Sequence, residues 1–457
     1  MTPADQLRTS PAATADRSTS TAAPAATDEV VQLLSDLIRI NTSNPTHPER
    51  PAAEWVAERL DEVGIDSVIL ESEPGRASTI ARISGSNPKR KPLLIHGHLD
   101  VVPAEKSEWS LDPFAGEVKD AHVWGRGAVD MKDMDAMTLA VIRNWARTGV
   151  QPERDIVLAF VADEEAGGAK GAHWLVDHHP DHFAECTEAI SEVGGFSVTV
   201  GGDLRLYLIQ TAEKGMGWLK LRAEGRPGHG SMVHDDNAVT ALARAVTRIG
   251  EHEFPIHVTP TVREFLTTIG EVTGLPIDPD NPGPALPRLG GMARMIGAAL
   301  RNTANPTMLA AGYKANVIPS SAEATIDARF LPGYEQELFD TIDEIIASVA
   351  TPGTAISREF LTRDIAVETD FDGPIVDAMA AALRAEDPSA ITVPYLMSGG
   401  TDAKSFSQLG IRNFGFSPLL LPPELDFSSL FHGIDERVPI SALQFGVRVL
   451  DRFLRAC

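Results

Sequence analysis

Two short apolar runs constrain the fold of this chain most. Residues 92–96 and 155–161 are almost continuously apolar, which is typical of strands buried on both faces of a sheet. Apolar residues recur at helical spacing from Asp28 onward and over 53–63, and residues 130–148 form a further helical pattern. Strands that alternate with helices predict an α/β fold with a mainly parallel sheet.

A different order of elements follows residue 203. We expect strands there at 204–210, 218–223, 322–330 and 354–361 and helices at 237–252 and 334–349. We interpret the region as a ferredoxin-like split motif of the β-α-β-β-α-β type. The segment 255–312 inside this region is rich in Pro and Gly and predicts an elaborated loop with a short helix. The α/β pattern returns after about Asp370 and ends in a helix at 440–454, so we expect the second domain to be an insertion.

These patterns divide the chain into four segments. Residues 1–27 are rich in Ala, Thr, Ser and Pro and lack an apolar core, so we expect a disordered tail and no signal peptide. Residues 28–203 and 367–457 are expected to form one α/β domain, and residues 204–366 the inserted domain.

Charge and composition exclude several kinds of partner. The formal net charge of −24 argues against nucleic acid and anionic membranes, which require a basic face. No apolar stretch approaches the roughly 18 residues of a membrane span. Cys186 and Cys457 have no CxxC neighbour, which argues against a zinc finger or a disulfide framework and favours the reduced cytoplasm.

Acidic and histidine residues collect at the ends of the predicted strands and in nearby loops. They are His98, Asp100, Asp130, Glu164, Glu165, Glu192 and His432. Residues i and i+2 of an extended chain point the same way, so His98 can bind a metal ion while Asp100 accepts the proton of its other ring nitrogen. Imidazoles and carboxylates suit a pair of zinc-like divalent ions, so convergence of these residues would indicate a metal-dependent hydrolase.

Each of these residues also has a simpler interpretation. Asp130 could be a helix N-cap, Glu164 and Glu165 a solvated acidic turn, and His432 an exposed loop residue. Lys132 is interpreted as a charge on the helix surface or near the ligands rather than as a catalyst. The group His178, His179 and His182 lies in a polar segment and is assigned to the solvated surface.

The motifs taken together resemble the M20 metallopeptidase family, which includes aminoacylase, carnosinase, glutamate carboxypeptidase, acetylornithine deacetylase and succinyl-diaminopimelate desuccinylase. The resemblance runs from about Val30 to the C-terminus. The motifs that carry it are, in the family's order, HGHLDVVP, the W–PF–G segment from Trp109 to Gly116, WGRGAVDMK, DEEAGG, GHGS, NVIP, SGGTDA and the late histidine. The resemblance implies a catalytic α/β domain with an inserted lid or dimerisation domain.

The resemblance also implies a role for each candidate residue. His98 and Glu192 would hold one metal ion and Glu165 and His432 the other. Asp130 would bridge the two ions. Asp100 would orient His98, and Glu164 would be the general base.

Five further residues would contact the substrate, and one of them would come from a partner subunit. His229 would reach the active site of the other subunit and stabilise the oxyanion, which implies a homodimer, although a turn histidine between glycines is the simpler interpretation. The substrate carboxylate would be bound by Asn316, Arg329 and the turn that contains Gly400 and Thr401. Arg329 could equally be an ordinary exposed strand residue.

The expected function is hydrolysis of an amide or peptide bond in a small substrate that carries a free carboxylate. The reaction would depend on two divalent metal ions, Zn²⁺ in the first place, with Co²⁺ and Mn²⁺ as alternatives. An N-acyl amino acid or a short peptide would fit. The alternatives are a dipeptidase or carboxypeptidase proper, and a metal- or ligand-binding relative without catalysis. A metal-free α/β hydrolase is disfavoured because the chain lacks a G-x-S-x-G motif.

Overall fold

The computed structural model describes residues 24–200, 204–285 and 292–457. Its elements fall into a large domain, an insertion and a return to the large domain. The first group is α1 (Pro24–Arg39), α2 (Arg50–Asp61), β1 (Ser67–Glu73), β2 (Arg76–Ile83), β3 (Leu93–His98), β4 (Glu117–Lys119), β5 (His122–Trp124), α3 (Lys132–Thr148), β6 (Ile156–Val161), α4 (Ala172–His178), β7 (Glu188–Ser191), β8 (Ser197–Val200) and β9 (Leu204–Glu213).

The insertion comes next, and the chain then returns to the large domain. The insertion contains β10 (Gly215–Glu224), β11 (Gly228–His229), α5 (Ala238–Gly250), α6 (Pro260–Thr273), α7 (Met292–Ala299), β12 (Thr303–Ala311), β13 (Val317–Ile318), β14 (Ser321–Phe330), α8 (Glu335–Ser348) and β15 (Ala355–Asp364). The return contains β16 (Val367–Glu368), α9 (Pro374–Glu386), β17 (Ile391–Met397), α10 (Ala403–Ser407), β18 (Arg412–Gly415), β19 (Arg437–Pro439) and α11 (Ile440–Ala456).

The large domain is built on a ten-stranded sheet with a parallel centre. Its order is β1-β2-β6-β3-β7-β18-β9-β16, with β17 and β8 also paired to β9. Strands β6, β3, β7 and β18 run parallel to one another, and every residue of β3 and β6 is buried. The two apolar runs are thus the buried strands that the sequence predicted, and the α/β fold class is confirmed.

Apolar layers cover both faces of this sheet. One layer includes α1, α3 and α11, with Leu34, Leu139 and Leu450 fully buried. The layer on the other face includes α4 and the region of α10, where Leu175 and Phe406 are buried. Because both faces are covered, the polar side chains at the carboxyl ends of the strands are left to form the site.

The insertion carries a second sheet of four antiparallel strands in the order β12-β14-β10-β15. Helices α5 and α8 cover one face, and β14 alternates half-buried and buried residues along its length. The β-α-β-β-α-β order is therefore present, in strands β10, β12, β14 and β15 and helices α5 and α8. We call residues 215–364 the lid.

The sequence assigned the wrong first strand to this motif. The predicted strand at 204–210 is part of β9, which pairs with β17, β18 and β8 in the large sheet. Its polar residues hid its burial, because they are satisfied internally: Gln210 Nε2 donates to Glu213 Oε1 at 2.9 Å, and the hydroxyls of Thr211 and Thr261 lie 3.1 Å apart. The insertion therefore starts near Gly215 rather than at residue 204.

The segment 255–312 is also more ordered than expected. It contains α6, α7 and β12 instead of a loop with one short helix. Val262, Phe265 and Leu266 of α6 pack with Val393 and Tyr395 of β17, so α6 covers the large sheet. The proline at the start of this helix and Thr259, whose hydroxyl accepts from Val262 N at 3.4 Å, are helix-start signals that the Pro and Gly content obscured.

Two smaller boundaries differ as well. Helix α1 begins at Pro24, four residues before the start that the apolar periodicity predicted, and the expected disordered tail otherwise lies outside the described residues. Helix α3 begins at Lys132, so Asp130 precedes the helix and belongs to a loop. Among the described residues, no helix is long and apolar enough to cross a membrane.

Candidate metal centre

The candidate ligands come together at the carboxyl edge of the parallel strands. His98 ends β3, whose last residue lies beside Val161 at the end of β6. Glu164 and Glu165 follow β6 in a short 3-10 turn, and Glu192 follows β7 directly. Neighbouring parallel strands end at one edge of the sheet, which is why residues distant in sequence meet here.

Asp130 lies between the two histidines. Its Oδ1 is 3.1 Å from His98 Nε2, and its Oδ2 is 3.2 Å from His432 Nε2. Glu165 Oε2 also lies 3.2 Å from His432 Nε2. The two oxygens of the Asp130 carboxylate therefore face one histidine each.

Two more carboxylates approach the same nitrogen of His98. Glu192 Oε2 lies 3.5 Å from His98 Nε2, and Glu164 Oε2 lies 3.9 Å from the same nitrogen. Ligand atoms of His98, Glu164 and Glu192 lie close enough together to hold one ion, as do those of His98, Asp130 and Glu165. Of the two adjacent acids, Glu164 has an oxygen within 4 Å of His98 Nε2, and Glu165 has one within 4 Å of His432 Nε2.

His98 is oriented by a main-chain oxygen rather than by a side chain. Its Nδ1 donates to the carbonyl oxygen of Asp100 at 2.9 Å, whereas the Asp100 carboxylate is 3.7 Å away. The expectation that this carboxylate accepts the histidine proton is therefore corrected. The hydrogen bond still leaves Nε2 free to face the other ligands.

The Asp100 carboxylate instead positions the acidic turn. Its Oδ1 accepts from the backbone N–H of Glu164 at 3.1 Å, and its Oδ2 accepts from that of Glu165 at 3.0 Å. Asn44 Nδ2 donates to Asp100 Oδ2 at 2.9 Å and to Asp163 Oδ1 at 3.1 Å. Sequence reasoning missed Asn44, since no motif set it apart.

The electrostatics of this cluster favour cations. Burial raises the pKa of Glu192 to about 7 and also raises the pKa of Glu164 and of Glu165. Hydrogen bonds to Asp130 and Glu165 raise the pKa of His432 to about 10. Burying several carboxylates around two imidazoles is costly unless positive charge compensates them.

An unpaired ligand atom supports the same conclusion. Glu165 Oε1 is buried and has no hydrogen-bond partner among the described residues. Oδ2 of Asp402, at the start of α10, is likewise buried without a hydrogen-bond partner among the described residues. The charges of His98 and Glu192 act on the pKa of this carboxyl group. The donor set of imidazole nitrogens and carboxylate oxygens fits divalent metal ions.

The predicted substrate residues of the lid do not contact this cluster within the described part of the chain. His229 is exposed on β11, with its Nδ1 2.8 Å from the hydroxyl of Ser231. Asn316 is exposed beside it, and its carbonyl oxygen accepts from Gly230 N at 3.0 Å. Arg329 forms an ion pair with Asp327 at 2.7 Å.

The turn that contains Gly400 and Thr401 is tied to the end of β9, just before the lid. Thr401 donates through its backbone N–H to Glu213 Oε2 at 2.9 Å and through its hydroxyl to Oε1 at 2.6 Å. A Cβ at Gly400 would lie 2.4 Å from Lys404 Nζ, so any side chain there would require the end of this lysine to move. The ammonium of Lys404 lies 3.7 Å from the carboxylate of Asp364, at the other end of the lid.

Two other predictions concern residues near the site. Lys132 is buried, and its Nζ donates to the carbonyls of Leu37 at 3.0 Å and Ile40 at 2.9 Å, so it is not a surface charge. The group His178, His179 and His182 is not among the clusters able to hold a metal ion in the described residues.

The fold and the cluster can now be compared with known proteins. Residues 94–456 match the model of peptidase family M20/M25/M40. The chain belongs to this family. It is accordingly a hydrolase that acts on amide or peptide bonds, as its motifs predicted.

Curated relatives cover nearly the whole chain. Aminoacylase-1 of Pongo abelii is 26% identical over 434 residues, which are 93% of this chain and 94% of the relative. The N-fatty-acyl-amino acid synthase/hydrolase PM20D1 of Xenopus tropicalis is 26% identical over 452 residues, 92% of this chain and 84% of the relative.

Solved structures share the fold of this M20 family member. The metallo-carboxypeptidase Sso-CP2 from Sulfolobus solfataricus aligns with a TM-score of 0.71 and 18% identity, covering 94% of this chain and 99% of that one. A Bacillus subtilis protein described as a dinuclear metal binding peptidase of family M20 aligns with a TM-score of 0.61 and 14% identity, covering 94% and 98%.

Proposed function

We propose that this chain is a dinuclear, zinc-dependent amidohydrolase that acts on N-acyl amino acids or short peptides with a free carboxylate. The observation that carries the proposal is the position of Asp130, whose two oxygens face His98 and His432 at 3.1 and 3.2 Å. A carboxylate between two imidazole groups suits a bridge between two cations.

The ligand sets proposed here are those that the resemblance to the M20 family implies. His98 and Glu192 would hold one ion, Glu165 and His432 the other, and Asp130 both. Nitrogen and oxygen ligands of this kind suit Zn²⁺ and also accept Co²⁺ or Mn²⁺. The name of the Bacillus subtilis relative, which describes dinuclear metal binding, agrees with this assignment.

Glu164 would be the general base. The two ions, when bound, would acidify a water molecule and polarise the amide carbonyl. Glu164 takes the proton of the attacking water and passes it to the leaving nitrogen. The backbone hydrogen bond from Glu164 to Asp100 holds the turn in place, so Asp100 acts by positioning.

The substrate carboxylate would be bound by lid and turn residues together. Arg329 supplies a planar cation with donors for two carboxylate oxygens. Its present partner Asp327 lies on the same strand, so a substrate carboxylate has to compete with it or join it. Asn316 and the backbone of Gly400 and Thr401 would supply further donors.

His229 would act on the site of a second subunit, where it stabilises the oxyanion. It is exposed in the lid and is not in contact with the metal cluster of its own chain among the described residues. Strand β12 is an edge of the lid sheet and exposes Met308 and Leu309 by 68% and 63%. An apolar edge strand of this kind suits pairing with a second copy of the chain.

A hydrolysis screen tests the proposal. The purified protein is stripped with a chelator, reloaded with zinc and assayed for released amine on N-acyl amino acids and on dipeptides. Activity on the former supports an aminoacylase-like enzyme, and activity on dipeptides alone supports the dipeptidase alternative. Binding of zinc without hydrolysis of any substrate would contradict catalysis and favour a binding protein.

A cytoplasmic location agrees with the two cysteines, Cys186 and Cys457. Both are buried and unpaired as thiols. The reducing cytoplasm keeps thiols in this state.

A further inference from the structure

Glu436 is a fully buried acid that the proposed chemistry does not use. It lies four residues after His432, and its side chain is 0% exposed. Its Oε1 accepts from the backbone N–H of Val129 at 2.7 Å and of Asp130 at 3.2 Å. One carboxylate oxygen thus holds the main chain of the proposed bridging ligand.

The backbone around Glu436 connects the same two loops. Strand β19, which begins one residue later, pairs with β5 in the register Arg437 to Trp124. The next hydrogen bond of this ladder runs from Gly125 N to the carbonyl oxygen of Glu436 at 2.9 Å. The loop that carries Asp130 therefore leaves β5 at the point where the segment that carries His432 enters β19.

Arg126 occupies the second oxygen of Glu436. Its Nη1 donates to Oε2 at 2.8 Å, and its side chain is 4% exposed. The guanidinium carbon lies 5.1 Å from the centre of the Trp109 ring, and the Arg126 N–H donates to the carbonyl of Pro113 at 2.8 Å. The W–PF–G segment thus closes over this ion pair, which explains a motif that the catalytic roles leave unused.

We propose that Glu436 is a positioning residue that sets the spacing between Asp130 and His432 and so determines the affinity for the second metal ion. The proposal rests on the dinuclear function proposed above. The spacing in question is the 3.2 Å between Asp130 Oδ2 and His432 Nε2. Glu436 makes no hydrogen bond to His98 or Glu192 in the described residues, so we expect the larger effect at the ion that Glu165 and His432 would share.

A matched pair of double variants of the full-length chain tests this. R126M/E436Q removes both charges but keeps an oxygen that accepts from Val129 and Asp130. R126M/E436L removes the charges and the acceptor while retaining an apolar side chain. Each metal-free protein is titrated with Co²⁺ against a competing chelator, which resolves two dissociation constants, and thermal unfolding confirms that both variants fold.

The expected result separates the two variants. In R126M/E436Q both dissociation constants stay within about 3-fold of wild type. In R126M/E436L one site loses about 10- to 100-fold in affinity, as is usual when a group that orients a metal ligand is removed. The other site changes much less, because Asp130 is the only one of its ligands that Glu436 holds.

A third variant controls for the loss of any buried ion pair. Asp387 is a 5% exposed carboxylate bound to Arg205 at 2.5 Å, in the same domain but outside the ligand cluster. D387N is expected to lower the unfolding temperature without changing either dissociation constant.

Three outcomes would overturn the inference: equal metal binding in the two double variants, equal weakening of both sites in R126M/E436L, or the same selective loss in D387N. If the wild-type protein bound fewer than two ions, the dinuclear function would fail and the inference with it. Two ions bound equally well by every variant would reject the inference alone.

Discussion

The ligand cluster and the lid differ in how their functional residues are held. His98 and Glu192 are 1% and 5% exposed, and they follow buried parallel strands whose ends meet. His229 and Asn316 are exposed on a two-stranded ribbon formed by β11 and β13, and they contact neither histidine of the cluster in the described residues. The buried strands of the large domain therefore position the proposed metal ligands. The exposed lid residues can act only when the lid meets a metal cluster, either its own or that of a second subunit.

Replacing the general base should give the largest effect. E164Q is expected to lower kcat by about 10²- to 10⁴-fold, since an amide cannot take the proton of water. The metal content should stay at the wild-type level, because the ligand sets proposed above do not include Glu164. The measurements are initial rates and metal analysis of the purified variant.

D181N serves as its control, because Asp181 is an exposed acid in the same domain. It should retain wild-type rates. Full activity in E164Q would contradict the proposed mechanism and move the base to another residue.

Replacing the exposed lid histidine should have the next largest effect. H229A is expected to lower kcat by about 10²- to 10³-fold, the usual cost of removing one oxyanion donor. H178A, which changes another exposed histidine, should be neutral. If His229 acts in the partner subunit, mixing H229A with E164Q subunits should restore about a quarter of wild-type activity, because half the dimers carry one intact site of two.

The mixing experiment decides whether His229 acts on the metal cluster of its own subunit or on that of the partner subunit. Inactive mixtures, despite confirmed subunit exchange, would mean that His229 serves its own chain or none. The cluster and the lid would then belong to one subunit.

Replacing the lid arginine should mainly affect binding. R329M is expected to raise KM by about 10- to 100-fold for carboxylate substrates, since a charge-assisted hydrogen bond contributes roughly 1.5–3 kcal/mol. The same variant should discriminate much less between a substrate and its methyl ester. R222M is the matched control, because Arg222 lies on the neighbouring strand and pairs with Glu323 at 2.6 Å. An equal KM in R329M and wild type would exclude Arg329 from carboxylate binding.

Closure of the lid should give the smallest signal. The four-stranded sheet of the lid connects to the large domain near Lys214 and near Ile365, and α6 also packs on the large sheet. A hinge motion would move this four-stranded sheet relative to α6 and the large domain. We expect a tight-binding inhibitor to lower the radius of gyration slightly in small-angle scattering. A scattering profile that does not change on inhibitor binding would argue for a rigid lid.

Much of the ligand cluster could be predicted from sequence because its residues follow strong local patterns. A buried apolar run signals a parallel strand, and a histidine or acid directly after it lies at the carboxyl edge. His98, Glu165 and Glu192 were found in this way, and their family motifs then suggested the roles. The residues that hold the cluster in place were not found, since Asn44 and Glu436 act through hydrogen bonds with partners that are distant in sequence.

The errors in the fold came from strands whose neighbours are remote in sequence. Strand β9 carries polar residues and looks half-exposed, yet pairing with β17, which begins 187 residues after β9 does, buries it. The segment 255–312 looked like a loop because its Pro and Gly mark boundaries of helices as well as turns. In both cases contact with β17, far along the chain, outweighed the local pattern.

The amino-acid sequence by itself determined the α/β class, the presence of an inserted β-α-β-β-α-β domain and the candidate ligands, because periodicity and strand-end residues are local properties. Only the tertiary structure decided which strands form each sheet, that a main-chain carbonyl rather than the Asp100 carboxylate orients His98, and that Asp130 lies between two histidines. These depend on distances between residues far apart in the chain, and such distances are set by the packing of the whole domain.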